Sequence, residues 1–171
     1  MRLLPFLLIF LAILAGPANA AKDRSDFTPE QALQYSQNAL GRTVGNYEFR
    51  DSAGNLVRMS DFLGKPVVVS FIYTSCAESC PVITETLAEA ADVARDALGD
   101  DSFSVISIGF DSASDSPDRM RYFAKQHGIN LDGWKFLSGD LSSVLALSND
   151  LGFIFYRSAK GFDHLSQVSV I

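Results

Sequence analysis

The sequence predicts an α/β fold preceded by a β-hairpin, on three observations. Val67–Tyr73 and Phe103–Phe110 are nearly continuous apolar runs rich in β-branched and aromatic residues, the mark of strands buried on both faces. Pro81–Leu98, between them, places Ile83, Leu87, Ala91 and Ala94 on one helical stripe. After the second run the alternation continues, and strand–helix–strand order implies parallel strands joined by right-handed crossovers.

Taken in order, Thr28-Pro29-Glu30-Gln31 reads as an N-cap, a proline at the first helical position and a capping-box glutamine. That predicts a helix to Leu40, stopped by Gly41. Tyr47–Arg50 and Leu56–Met59 flank the turn residues Asp51–Asn55 and predict the hairpin. Leu63-Gly64-Lys65-Pro66 leads into the first buried strand. Gly99 closes the helix that follows it. Ser116-Pro117 opens a further helix, to about His127-Gly128. Trp134–Leu137 is a short strand, Asp140 caps a helix through Leu151, and Phe153–Arg157 is extended. Ser166–Ile171 is one more strand. An apolar strand with nothing following it would leave a hydrophobic edge, so a fragment of a longer fold is expected.

The amino terminus carries its own signal. Met1-Arg2 supplies positive charge, Leu3–Ala15 is uncharged and apolar apart from Pro5, and Gly16-Pro17 breaks any helix. Ala18-Asn19-Ala20 offers small residues for cleavage after Ala20. This predicts a signal peptide over residues 1–20 and a periplasmic or exported protein. The apolar run is shorter than the roughly 20 residues a membrane-spanning helix needs, so an anchor is the weaker reading. Residues 21–44 form a helical extension, and 45–171 one domain. The net charge is −6, with no basic cluster, which argues against nucleic acid or an anionic membrane as partner.

The chemistry centres on Thr74-Ser75-Cys76-Ala77-Glu78-Ser79-Cys80-Pro81, which holds the chain's two cysteines. They fall between the carboxyl end of a buried strand and a helix predicted to start at Pro81. Ligands bind at that end of open α/β sheets, and a helix amino terminus favours thiolate over thiol. A purely structural disulfide would close a loop of about five residues and contribute roughly 2 kcal/mol, against about 3 for a fifteen-residue loop. A reversible redox pair is the better disulfide reading. Three intervening residues, rather than the two of the usual exchange motif, also leave room for a metal between the sulfurs. Soft thiolates select Cu(I) or zinc, and two sulfurs call for a third ligand. Of the two histidines, His127 is expected to face the last carbonyls of its helix. His164, in Gly161-Phe162-Asp163-His164-Leu165, reads equally as a ligand or as a solvated loop residue.

From about Gly45 to Ile171 the chain resembles the Sco/SenC proteins. Val69–Pro81 is similar to their F-x-Y-T-x-C-x-x-x-C-P signature. Leu63-Gly64-Lys65-Pro66, the aspartates Asp111 and Asp115, and Trp134 with Leu137-Ser138-Gly139 match further stretches. The resemblance implies a thioredoxin-like fold, from which a C-terminal strand and helix are missing. It implies a copper site of Cys76, Cys80 and His164, for Cu(I) and Cu(II). It also implies a partner in the copper-containing subunit of cytochrome c oxidase, beside other periplasmic copper or thiol-redox proteins. Asp111 would support the site or a docking contact, unless it and Asp115 serve the start of the helix at Pro117. Ala77 stands where the family often has proline, and Asp111-Ser112 where it has Asp-Pro; neither change removes a ligand.

Three functions follow: a copper metallochaperone for cytochrome c oxidase, a thiol–disulfide oxidoreductase that reduces the apo oxidase subunit through Cys76 and Cys80, or a Cys2His zinc site. Copper outcompetes zinc where it is available. A peroxidase would need a Thr/Cys/Arg cluster, and no arginine lies near Cys76 in sequence.

Overall fold

The computed structural model describes residues 27–129, 133–159 and 161–171. The signal-peptide segment and its cleavage point lie outside the described residues. The first helix, α1 (Pro29–Gln37), starts as the sequence predicts, with Thr28 and Gln31 forming a reciprocal capping box. It ends three residues before Leu40, and a turn follows with Gly41 at φ 80°. The hairpin is β1 (Glu48–Asp51) and β2 (Leu56–Arg58). The buried runs become β3 (Val67–Ile72) and β4 (Ser104–Gly109), with α2 (Ser79–Leu98) between them. Then come α3 (Pro117–Gln126), β5 (Trp134–Ser138) and α4 (Leu141–Leu151). Ser116 and Asp140 cap the two helices, their side chains accepting from the Arg119 and Ser143 N–H groups.

One sheet of order β2-β1-β5-β4-β3-β8 runs through the molecule, β8 being Val168–Val170. The central strands β3, β4 and β5 are parallel, as the crossover argument requires. The last strand therefore has a partner: it lies antiparallel on β3, with Val168 opposite Ser70 and Val170 opposite Val68. The two-residue period of a strand sends alternate side chains to opposite faces. Val67, Val69 and Phe71 join Ile106, Ile108, Leu137 and the α4 residues Val144 and Leu147 on one side. Ile72, Val105, Trp134 and Phe136 join Cys80, Met120 and Phe123 under α2 and α3 on the other. This is the α/β, thioredoxin-like architecture, with helices over both faces of the sheet.

A second sheet, a hairpin of β6 (Phe155–Ser158) and β7 (Gly161–His164), stands apart from the first. Phe153, which the sequence places in a strand, instead buries its ring before β6 begins, stacked 4.1 Å from Phe71. β7 itself has no counterpart in the sequence reading. Among the described residues, no helix is long and apolar enough to cross a membrane.

Candidate metal and thiol site

The site is built at the carboxyl end of β3. The chain leaves the strand at Tyr73, turns so that the Cys76 N–H meets the Tyr73 carbonyl at 3.0 Å, and enters α2 at Ser79. The helix thus begins two residues earlier than Pro81, and Cys80 lies in its first turn. Glu78 is the N-cap by backbone position, but its exposed side chain caps nothing. Sulfur takes that role: the Cys80 N–H points at the Cys76 Sγ, 3.3 Å away, with the Ser79 hydroxyl at 3.5 Å. Orphan donors of a first helical turn need an acceptor, and a thiolate satisfies them while it is itself stabilised.

The two thiols, both free, are inequivalent. Burial alone would raise Cys76, but hydrogen bonds from Ser79 and the Cys80 and Glu78 N–H groups outweigh it and bring the thiol down to about 7. Cys80 is 1 % exposed within the apolar cluster of α2 and α3. Burial, with the neighbouring Cys76 sulfur, pushes it up to about 12. Alkylation of the metal-free protein by iodoacetamide is therefore expected to follow the thiolate fraction of Cys76. Its rate should rise through a single midpoint near pH 7, with Cys80 unmodified below about pH 9. Rates read by mass spectrometry across pH 5–9 check this, and a midpoint near the ordinary 8.5 would contradict it.

A polar frame that the sequence does not announce holds the loop. Asp115, 2 % exposed, accepts at one oxygen from the Thr74 N–H (2.8 Å) and hydroxyl (2.7 Å). Its other oxygen accepts from the Asp111 N–H at 2.9 Å. Burial raises this carboxyl despite those donors. Gly109 makes the approach possible, because a Cβ there would stand 2.6 Å from that of Asp115. Asp115 thus serves the cysteine loop, and Ser116 alone caps α3. Arg119, one turn into that helix, donates to the Thr74 and Ser75 hydroxyls at 3.0 Å each. Folding brings beside the cysteine loop the arginine that its sequence neighbourhood lacks. Asp111 is also buried, and Arg157 of β6 reaches it at 3.5 Å.

His164 lies at the end of β7 rather than in a loop. Its Nδ1 is 3.2 Å from the Leu165 carbonyl, and its ring packs on Phe110 (5.4 Å), Tyr73 (6.0 Å) and Phe153 (6.2 Å). Tyr73 connects this hairpin to the cysteines. Its ring lies against Phe162 and His164, and burial, ahead of the neighbouring Cys76 thiol, raises its hydroxyl to about 12. Among the described residues, no three histidine, cysteine or acidic side chains gather closely enough to hold a metal ion. Two sulfurs are together, and the imidazole waits one aromatic ring away. His127 is elsewhere: it ends α3 and pairs through Nδ1 with Glu85 of α2 at 3.1 Å, in place of the expected carbonyl contacts.

The SCO1/SenC family model matches residues 36–171, which takes in the cysteine loop, both aspartates and the His164 hairpin. The chain belongs to the SCO1/SenC family. A SCO1 protein homolog of Bacillus subtilis is 26 % identical over 107 residues, covering 62 % of this chain and 54 % of the relative. Protein sco1 of Schizosaccharomyces pombe is 28 % identical over 119 residues, covering 70 % and 43 %. The chain spans about half the length of these curated relatives. Among solved structures, Bradyrhizobium japonicum ScoI with copper bound has a TM-score of 0.65 at 21 % identity, over 75 % of this chain and 83 % of that one. That similarity bears on the fold.

Proposed function

We propose that this family member is an exported copper-binding protein that holds Cu(I) on Cys76, Cys80 and His164 and passes it to the copper-containing subunit of a cytochrome c oxidase. One observation carries the reading: two free thiols share the mouth of α2, one already disposed to ionise near neutral pH. Two thiolates suit Cu(I), and a neutral imidazole completes a three-coordinate set. The donor chemistry fits the metal, and the single missing step is the approach of His164. Family membership supports the choice, since relatives from Bradyrhizobium japonicum and Arabidopsis thaliana are known with copper bound. Copper here is cargo. Delivery to an oxidase draws on a relative, BsSco, described as a member of the Sco family of cytochrome c oxidase assembly proteins.

The inequality of the thiols favours a second reading. An accessible thiolate that attacks and a buried thiol that resolves are what disulfide exchange needs. In that reaction Cys76 and Cys80 become a disulfide while a substrate disulfide accepts two electrons and two protons. BsSco is also described as carrying a disulfide switch. A disulfide cannot supply two thiolate ligands, so the two activities exclude each other in time.

Anaerobic titration of the reduced protein with Cu(I), against a chelator of known affinity, separates the readings. One-to-one binding is expected, weakened about 10- to 100-fold or more in His164→Ala, since even outer-shell changes cost that much. Equal affinity in the two proteins would remove His164 from the ligand set. Absence of copper binding, with reduction of a disulfide-bonded oxidase-subunit peptide, would establish the second reading instead.

A further inference from the structure

The hairpin that carries His164 is joined to the sheet body by an ion pair as well as by aromatic rings. Its strands do not continue the six-stranded sheet. Phe162 packs on Phe110 and on Tyr73, at 5.3 Å each. Such burial seats the hairpin but fixes no point, because it is not directional. Arg157, opposite Phe162 in the β6–β7 register, supplies the point. Its guanidinium stands 4.5 Å over the Phe162 ring, and its Nη2 reaches the Asp111 Oδ1 at 3.5 Å. The Arg157 side chain is 68 % exposed and that of Asp111 only 11 %. A buried carboxylate needs a partner, and here the hairpin brings it. Asp111 is itself firmly placed. Its carbonyl accepts from the Ser114 and Asp115 N–H groups at 2.8 and 2.7 Å, and its own N–H donates to the Asp115 carboxylate. That carboxylate also holds Thr74 of the cysteine loop, so anchor and loop share one frame.

We propose that the Arg157–Asp111 pair is a tether that keeps the His164 hairpin seated against the frame of the cysteine loop, so that bringing the imidazole to the metal costs little further ordering. The inference rests on reading Cys76, Cys80 and His164 as the ligand set. Without the tether the hairpin samples more orientations, and binding must remove that freedom before the imidazole adds to the sulfurs. Preorganisation of this kind is read directly in affinity. The two buried aspartates then divide the work: Asp115 holds the loop of the cysteines and Asp111 the hairpin of the histidine. Arg157 is a positioning residue, acting through His164 without binding the metal.

Arg157→Gln removes the cation from an exposed position. In the reduced full chain it is expected to lower Cu(I) affinity about five-fold, the upper end for a partly exposed ion pair. In a His164→Ala background the same substitution should change nothing, because no imidazole is left to position. Arg157→Lys should recover part of the loss, returning the charge without the flat group that stacks on Phe162. Asp111→Asn should match Arg157→Gln, and the two together should cost no more than either alone. The metal-free protein gives a separate readout. Hydrogen exchange of the Phe155–Ser158 and Gly161–His164 amides should quicken in Arg157→Gln, while alkylation of Cys76 by iodoacetamide at pH 7 stays as in wild type. Unchanged or higher Cu(I) affinity in Arg157→Gln, or an equal loss with and without His164, overturns the positioning role while leaving the ligand set intact. Unchanged hydrogen exchange overturns the tether without reference to any metal. If His164→Ala binds Cu(I) as wild type does, the ligand set has failed and the positioning role falls with it.

Discussion

Cys80→Ser is expected to lower Cu(I) affinity by well over the roughly 100-fold upper range of outer-shell changes, because it removes one of the two sulfurs proposed to bind the metal itself. A hydroxyl is a hard, poorly ionised donor, and Cu(I) is soft. The variant also tests the proton count. Metal ligands must be deprotonated. Between about pH 7 and 12 Cys76 is already thiolate and Cys80 still carries its proton, so binding both sulfurs displaces one proton. Wild-type affinity should therefore rise about ten-fold per pH unit above pH 7 and more steeply below it. In Cys80→Ser that dependence above pH 7 should vanish, while alkylation of Cys76 persists. Competition titrations at pH 6, 7 and 8 check both claims. A variant that binds Cu(I) as tightly as wild type would exclude Cys80 as a ligand.

Phe110→Ala carries the largest expected loss of stability. Phe110 ends the β4 run at 1 % exposure. Its ring meets Tyr73 (5.2 Å), Phe155 (4.8 Å), Phe162 (5.3 Å) and His164 (5.4 Å). Truncating a buried phenylalanine typically costs about 3–5 kcal/mol, from lost transfer energy and the cavity left behind. In a domain of this size that is a fall in melting temperature on the order of 10 °C. The damage is also local, since Phe110 is the floor on which the β6–β7 hairpin lies. Urea unfolding monitored by circular dichroism measures the first effect, and the dependence of Cu(I) affinity on His164 measures the second. A loss below about 1 kcal/mol would mean that the hairpin packs elsewhere. Leu98→Ala, at a side chain 69 % exposed, is the matched control and should change little.

Most of the fold could be read in the sequence because most of it is set by local patterns. Val67–Ile72 and Ser104–Gly109 announce themselves as two-face-buried strands, and Thr28, Ser116 and Asp140 mark helix starts by their own side-chain chemistry. What escaped was non-local. β7 is a strand only because Phe162 and His164 find Arg157 and Phe155 across the hairpin; Gly-Phe-Asp-His has no strand periodicity of its own. The early start of α2 depends on a sulfur standing in for the oxygen of a normal N-cap. Arg119 is 43 positions beyond Cys76 and reaches its loop only through the fold, which packs α3 on β5 with its first turn at the Thr74-Ser75 end of the sheet. The cysteine pair was visible because its spacing is local. The proposed third ligand, His164, was reached through family resemblance, and Tyr73 stood inside an apolar run.

The cysteines sit in the loop after β3 and the first turn of α2, attached to the six-stranded body, whereas His164 ends a strand of the separate two-stranded hairpin. For the proposed copper carrier, that division governs dwell time more than strength. A cation gripped by three donors on one rigid frame must break every bond almost together, and leaves slowly. In the proposed carrier, with one donor on its own hairpin, the imidazole lifts first, a recipient's ligand takes the vacated position, and the sulfurs let go afterwards. Exchange then proceeds through a shared intermediate, and the ion is never free in solution.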